Sequence, residues 1–316
     1  MLREPATVGL TPVEFLVKLF TDPAAWYNAN QLVIAQMGIN ALLGLSIWVT
    51  LYCGQLTMAN IGFMAIGAYT TVIMAIHLHT PFAVNALAGT ALAAGVAVVI
   101  GLPVLRLRGV YLAIATLAFG EVVRFGVILN LGITGKGQGL NNPAAEPGTA
   151  GLLPVLVIVA VLTTVFSRLR SSKVGLACAA IREEEVAAAS GGTNVAAFKL
   201  GTFVLGAAIA GLAGSLDARL NFFIDPSEFG VQRAILILVV AFVGGILSPT
   251  GPVLGAVLLI ALPEIVRSAQ DYRYVLYGLA LMVIAVFRPK GLIARRSGGR
   301  RTRRQRALGD PVSDGV

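Results

Sequence analysis

Charged residues are scarce in this chain. Only 12% of its 316 residues are Asp, Glu, Lys or Arg, whereas a soluble domain of this length carries roughly 25%. The deficit is uneven, because long windows contain no charge at all and 57% of the chain is hydrophobic. This pattern excludes an ordinary soluble domain and predicts an all-α polytopic membrane protein.

Cysteine and histidine are also nearly absent. The two cysteines, Cys53 and Cys178, are too few to form a disulfide framework or a cysteine metal site. The two histidines, His77 and His79, end an apolar run beside Pro81, where we expect loop residues at the membrane boundary. We therefore expect neither a metal nor a cofactor.

The chain has no recognisable ATP-binding motif. Its only Gly-Lys pair is Gly135–Lys136, with Asn130 where a phosphate-binding loop needs its first glycine and Gly137 where it needs Ser or Thr. There is no nucleophile elbow either. We expect a protein that is not an enzyme, so any ATP-driven process must use another chain.

Apolar segments dominate what is present. Each approaches the ~20 residues that a helix needs to cross a bilayer. They lie at 31–52, 59–78, 83–104, 110–131, 151–167, 198–218, 232–248, 252–266 and 273–288. The predicted fold is a bundle of about nine (8–10) transmembrane helices. The predicted divisions are an N-terminal segment 1–30, a transmembrane domain 31–292 with a cytoplasmic loop at 168–198, and a basic tail 293–316.

The basic residues predict the orientation. From Gly291 onward the chain has seven arginines and two aspartates, which supply +5 of the net charge of +9. The positive-inside rule places this tail in the cytoplasm, beside anionic lipid. Nine crossings then place the N-terminus outside and the 168–199 loop inside. No aromatic residues are interleaved with the arginines, so we expect no nucleic-acid partner.

Two apolar segments are interrupted by glycine or proline. One is "GQLTMANIGFMAIG" (54–67) and the other is "VGGILSPTGPVLGA" (243–256). Such interruptions in both halves of a transporter point to the substrate path, but close helix packing through glycine explains them equally well. If 53–66 is re-entrant, the count of crossings changes. The candidate path residues are Gly54, Gln55, Gly62, Gly67, Tyr69, Glu121, Arg124, Gly244, Gly245 and Gly251.

Two pairs of charges stand in or beside these segments. Glu121 and Arg124 are three residues apart, so they share a helix face and can neutralise each other. A charge at the bilayer centre costs roughly 2.5–3.5 kcal/mol, so the pair must face the bundle, a cavity or an interface. The pair can serve either in the substrate path or as a structural contact that holds helices together. Asp217 and Arg219 end another apolar run, where we expect them at the membrane interface.

An acidic, alanine-rich stretch, "AAIREEEVAAASGGTNVAAFKL" (179–200), lies between two apolar segments on the cytoplasmic side. Its three consecutive glutamates would stabilise a helix N-terminus, and Gly191–Gly192 can end that helix. We expect one short helix over 179–194. It is either a solvated connector or a docking helix for a cytoplasmic partner.

The chain resembles the membrane permease subunits of bacterial branched-chain amino-acid ABC importers, in particular the LivM-type subunit. The resemblance spans about 40–292 and rests on motifs in the expected order. They are "GQLTMANIGFMAIGAYT", "YLAIATLAFGEVVR", "TGKGQGL", "AIREEEVAAASGGTNVAAFKL", "AGLAGSL", "VGGILSPTGPVLGAVLLIALPE" and "FRPKGL".

The resemblance implies a set of partners: a second permease subunit, two cytoplasmic ATPase subunits and an extracytoplasmic substrate-binding protein. It also implies that 168–198 is the ATPase-coupling loop. Ala189 and Ala197 depart from the family, which commonly has Arg at both positions. The implied coupling positions are Arg182, Glu183, Glu184, Glu185, Ala188, Gly192, Asn194 and Lys199.

The resemblance gives the substrate only in outline. Branched-chain, neutral apolar amino acids fit an apolar path with one self-neutralising pair, while related permeases carry urea, short amides or sugars. A different class, an ion-coupled secondary transporter, would need buried acids. Glu121 is the one good candidate for such an acid, and Arg124 lies within its reach.

Overall fold

The computed structural model describes residues 23–265, apart from 129, 131, 136, 137, 147, 246 and 247, and also residues 278 and 282. This part of the chain is almost wholly helical, which confirms the all-α class. The helices are α1 (Pro23–Tyr52), α2 (Asn60–Leu78), α3 (Phe82–Val104), α4 (Val110–Glu121), α5 (Thr149–Leu169), α6 (Lys173–Glu183), α7 (Glu185–Ser190), α8 (Val195–Leu220), α9 (Val231–Gly244) and α10 (Thr250–Ile265).

Short elements complete the described chain. A π-helix, Val122–Ile128, continues α4, and two single 3₁₀ turns span Gly132–Thr134 and Pro226–Phe229. Two short strands, β1 (Leu140–Asn141) and β2 (Phe223–Ile224), form an antiparallel pair.

Five helices among the described residues, namely α1, α2, α3, α5 and α8, are long and apolar enough to cross a membrane. Helices α9 and α10 are apolar but shorter. The first eight predicted spans each fall on a helical segment. The ninth, 273–288, and the basic tail at 293–316 lie outside the described residues, so the count of nine stays a prediction.

Helix α1 lies at the centre of the bundle. In its apolar stretch, Asn30–Tyr52, 72% of the window is buried within the subunit, compared with 22% for α3. Glycine lets its neighbours approach. A Cβ on Gly206 of α8 would lie 2.9 Å from the carbonyl oxygen of Ser46, and a Cβ on Gly44 would lie 2.9 Å from Pro252 of α10. Helix α1 is thus enclosed by elements from the second half of the chain.

Small residues bring α2, α3 and α8 into close contact. A Cβ on Gly67 of α2 would overlap the carbonyl oxygen of Gly211 on α8, and a Cβ on Gly89 of α3 would lie 2.8 Å from the Gly67 oxygen. A Cβ on Gly62 would lie 3.0 Å from the Cα of Gly120 on α4. These are backbone contacts of the kind that glycine permits in membranes. They give Gly62 and Gly67, both predicted path residues, a role in packing.

The second interrupted segment also brings helices together. A Cβ on Gly244, the last residue of α9, would overlap the carbonyl oxygen of Gly251 at the start of α10. Gly245 adopts φ +101°, a conformation that favours glycine. These three glycines therefore form a tight turn between α9 and α10.

Contacts between the connecting segments distinguish two ends of the bundle. At one end, called here the inner end, Arg108 reaches Glu185 at 3.8 Å. At the other, the outer end, Arg219 pairs with Glu146, and its guanidinium lies 4.5 Å from the ring centroid of Phe82. The predicted cytoplasmic loop 168–198 lies at the inner end.

Residues 53–59 form an irregular segment that joins α1 to α2. It begins at the inner end, where Gly54 lies against Arg182. From there α2 runs to the outer end, where Tyr69 stacks edge-on against Phe229 at 5.9 Å between ring centroids. The chain therefore continues from 53–59 into a single helix that is long and apolar enough to cross a membrane.

Candidate functional site

The predicted docking helix, 179–194, falls on two helices, α6 and α7, which together are called here the coupling segment. Helix α6 ends at Glu183, Glu184 is extended (φ −156°, ψ 109°), and α7 begins at Glu185. The expectation of three glutamates at one helix start is therefore wrong, because Glu183 is C-terminal in α6. Gly192, with φ +82°, follows α7 as expected for a glycine that ends a helix.

The break at Glu184 folds the coupling segment back onto the irregular segment 53–59. Gly54 has φ +81°, and a Cβ there would lie 3.1 Å from the Cα of Arg182. The Arg182 guanidinium lies 5.6 Å from the ring centroid of Tyr52 at the end of α1. Only glycine fits at position 54, because the backbone there is left-handed and a side chain would press against the backbone of Arg182.

Gln55 joins the same irregular segment to α8. Its Nε2 atom donates to the carbonyl oxygen of Lys199 at 2.8 Å and to Thr202 Oγ1 at 3.3 Å. The Lys199 ammonium pairs with Glu185 of α7. Two predicted path residues, Gly54 and Gln55, thus contact two predicted coupling residues, Arg182 and Lys199, and a third, Glu185, is linked to them through Lys199.

A small buried cluster packs beneath α7. It contains Cys53, Cys178, Ile181 and Ala188. Both cysteines are free thiols, and Cys178 donates a hydrogen bond to Cys53. That hydrogen bond, together with burial, raises the pKa of Cys178 above its ordinary value. The cysteines form no disulfide, but they hold α6 against the start of the irregular segment.

Of the remaining predicted coupling positions, some are buried and others are exposed. Ala188 is buried in the cluster, so it does not lie on the surface that we expected a partner to contact. Val186 and Ala187 are exposed instead. Asn194 caps α8 by accepting a hydrogen bond from the Ala197 amide at 3.1 Å. Glu183, which pairs with Arg182, keeps a side chain that is 77% exposed.

Polar side chains support the irregular backbone within the bundle. The Thr116 hydroxyl on α4 accepts a hydrogen bond from the Met58 amide at 2.9 Å. Asn60 donates to Ser46 of α1 at 2.6 Å, and the Thr57 hydroxyl donates to Asn60 at 3.5 Å. Non-helical backbone survives at membrane depth only when such groups are satisfied inside the protein. This network was not predicted, although polar residues within apolar runs are the pattern that marks it.

The Glu121–Arg124 pair forms as predicted. Their side chains meet at 3.2 Å and are 26% and 23% exposed. Arg124 lies in the π-helix and also donates from Nε to the carbonyl oxygen of Pro226 at 3.1 Å. The pair therefore ties the end of α4 to the outer loop that follows α8.

Asp217, which we expected at the membrane interface, is enclosed by protein. It is buried, with 3% of its surface exposed. Arg233 of α9 pairs with Asp217 Oδ2 at 3.3 Å, and Gln36 of α1 donates to Oδ1 at 3.3 Å. Arg233 also reaches Glu228 at 3.6 Å. Burial and the negative charge of Asp217 raise the pKa of Glu228, while Arg233 opposes that shift.

Tyr69 and Asn40 carry buried polar atoms without a partner among the described residues. The Tyr69 hydroxyl and Asn40 Oδ1 form no hydrogen bond within that part of the protein. Both side chains are nearly inaccessible, at 3% and 4% exposure. Buried polar atoms without partners are rare and call for an explanation.

The chain matches known transport proteins over most of its length. The family described as "Branched-chain amino acid transport system / permease component" matches residues 31–286. The chain is 31% identical over 293 residues to the high-affinity branched-chain amino acid transport system permease protein LivM of Escherichia coli K12. That match covers 83% of this chain and 67% of the E. coli protein.

More distant relatives extend the pattern. A probable branched-chain amino acid transport permease protein LivM from Methanocaldococcus jannaschii is 25% identical over 218 residues, covering 62% of this chain and 63% of that protein. The E. coli permease protein LivH is 29% identical over 163 residues, covering 50% and 52%. No solved structure matches the chain. By the family match and the similarity to LivM, this chain belongs to the permease components of branched-chain amino acid transport systems.

Proposed function

We propose that this protein is a membrane-spanning permease subunit of an ATP-driven importer and forms part of the translocation path for branched-chain amino acids. It is a transport component of the inner membrane rather than an enzyme. The proposed energy source is a pair of separate cytoplasmic ATPase subunits that contact the 168–198 loop.

One observation carries this proposal: the coupling segment directly contacts the irregular segment 53–59. Arg182 lies on Gly54, and Lys199, paired with Glu185, binds Gln55 through its backbone carbonyl. A displacement of α7 by a partner would therefore act on α8 and on the segment between α1 and α2 together. Irregular backbone adjusts its dihedral angles more readily than a continuous helix, so this segment is the proposed moving part of the path.

The exposed face of α7 is the proposed ATPase contact. Val186 has 68% of its surface exposed, and Ala187 and Ala189 are exposed beside it. Glu183 adds a negative charge at the edge. Charges at the rim of an interface mainly set the association rate and the choice of partner.

The other partners follow from the family. A second permease subunit is proposed to complete the path, since LivM-type and LivH-type proteins both match this chain. An extracytoplasmic binding protein is proposed to deliver the amino acid to the outer end. There the buried Tyr69 hydroxyl has no hydrogen-bond partner among the described residues, which fits a polar contact with passing substrate.

Replacing Ala187 by Trp tests the docking surface. The bulky side chain should block the partner contact without disturbing the subunit, because Ala187 is exposed. We expect normal membrane insertion, loss of ATPase copurification and loss of ATP-driven leucine uptake by the assembled transporter. Ala144→Trp, an equally exposed alanine at the outer end, should keep the ATPases bound. If Ala187→Trp retains both the ATPases and uptake, α6 and α7 are a solvated connector instead.

A further inference from the structure

A cavity of about 450 Å³ lies at the inner end of the bundle, between α1, α5, α6 and α8. Its wall is almost entirely apolar, and its size is in the range of small-molecule sites. The aromatic side of the cavity is formed by Trp48 and Phe166, whose ring centroids lie 5.8 Å apart. Other lining residues are Leu169, Val174, Phe198 and Leu205.

The cavity opens at an apolar surface of the subunit. Helix α5 exposes apolar side chains such as Val161 and Val165 along this surface, with 53% and 49% of their areas accessible. Leu205, which lines the cavity, is itself 39% exposed. Only 28% of the apolar window of α5 is buried. Such a face must be covered by hydrocarbon or by another helix.

Charge distinguishes the two possible occupants. Arg170, which caps α5, is the one charged residue among those lining the cavity. Within the described part of the chain it forms no ion pair. Arg168 and Lys173 lie nearby in sequence and are exposed. A positive group without a counter-ion at the inner membrane surface, next to an apolar cavity, complements a lipid phosphate and its acyl chain.

We propose that this cavity binds one acyl chain of an anionic phospholipid and that Arg170 holds the headgroup phosphate. The acyl chain lies against Trp48 and Phe166. Because Gly175 and Cys178 of α6 also line the cavity, the bound lipid contacts the coupling segment. None of the proposed path residues lines the cavity, but Thr202, which does, accepts a hydrogen bond from Gln55.

Gly201 provides a steric test. It lines the cavity, and a Cβ built there meets no heavy atom within 4 Å, so a larger side chain fills empty space without a clash. Gly95 of α3 has equally open surroundings and gives a matched control. Native mass spectrometry of the full chain, titrated with phosphatidylglycerol in mild detergent, should show one tightly bound lipid in the wild type and in Gly95→Leu. Gly201→Leu should lose it.

Arg170→Gln tests the headgroup. We expect the affinity for phosphatidylglycerol to fall about fivefold, to that for phosphatidylcholine with the same acyl chains. Equal binding of the two lipids by the wild type would overturn the role of Arg170. Undiminished binding by Gly201→Leu would overturn the site itself.

A fluorescence measurement avoids altering the cavity. The chain has two tryptophans, so Trp26→Phe leaves Trp48 as the only tryptophan. Stoichiometric phosphatidylglycerol with brominated acyl chains should quench Trp48 in detergent, and unlabelled phosphatidylglycerol should restore its emission. If brominated lipid does not quench Trp48, while a photo-crosslinker at residue 201 captures the second permease subunit, the occupant is a protein helix and the lipid proposal is wrong.

Discussion

Arg233 on α9 pairs with Asp217 on α8 at 3.3 Å, and the Asp217 side chain is 4% exposed. Gln36 of α1 donates to the same carboxylate. Three helices are therefore joined through one buried negative charge. Removing one member of such a pair leaves the other buried and uncompensated, which costs more than removing both.

Arg233→Gln should lower the free energy of unfolding by about 3 kcal/mol. Asp217→Asn should lower it by less, because Arg233 still reaches Glu228 at 3.6 Å, and the double variant should lose less than the sum. Thermal unfolding of the detergent-purified protein measures this. Glu146→Gln serves as the control, because Glu146 is 56% exposed in its pair with Arg219 and exposed pairs contribute under about 1 kcal/mol. Additive losses at Asp217 and Arg233 would show that the two charges act independently.

The effects of replacing Glu121 and Arg124 on folded yield should also be non-additive, but the two single replacements should differ in size. Arg124 has a second bond, to the Pro226 carbonyl, so Arg124→Gln should reduce folded yield more than Glu121→Gln. The double variant should match Arg124→Gln rather than exceed it. A yield comparison by fluorescence-detected gel filtration is sufficient, and a double variant much worse than either single one would contradict the pairing.

Gly67→Ala should destabilise the fold, because a Cβ there overlaps the backbone carbonyl of Gly211. Overpacking of this kind typically costs about 1–3 kcal/mol. Gly95→Ala, with no atom within 4 Å of the added Cβ, should leave the melting temperature unchanged or slightly raised. Equal melting temperatures for the two variants would mean that α2 and α8 separate at no cost.

Gly54→Ala should impair transport beyond the effect of backbone strain. Gly54 and Gly109 both have positive φ, at +81° and +57°, so alanine strains the backbone at either site. Only Gly54 contacts another backbone, that of Arg182. We expect leucine uptake by the assembled transporter to fall severalfold in Gly54→Ala and to be nearly retained in Gly109→Ala. Similar uptake in both would argue against a coupling role for this contact.

The positions of the spans were predictable because uninterrupted apolar runs have few alternatives to a transmembrane helix. The Glu121–Arg124 contact was also predictable, since three-residue spacing brings two side chains onto one helix face. The break at Glu184 was not, because "REEEVAAAS" favours a continuous helix by local propensity. The contacts of Arg182 and Ile181 with residues near Cys53 override that propensity.

The burial of Asp217 depends on distant residues. Its partner Gln36 lies 181 positions away in the sequence, and no local pattern marks the two as neighbours. The same reason applies to Ala188, whose inward orientation depends on packing against Cys53 and Cys178. Helical periodicity says little about orientation when a helix has only six residues.

The central position of α1 has a consequence for how the protein is made. Helix α1 is the first described helix to leave the ribosome, yet its neighbours α8 and α10 begin at Val195 and Thr250. At about 5–20 residues per second, synthesis of the intervening chain takes roughly 10–40 s. During that interval the polar side chains of Asn40 and Ser46 lack the packing that α8 and α10 later provide. A nascent chain interrupted before α10 would leave its innermost helix open to lipid and to membrane proteases.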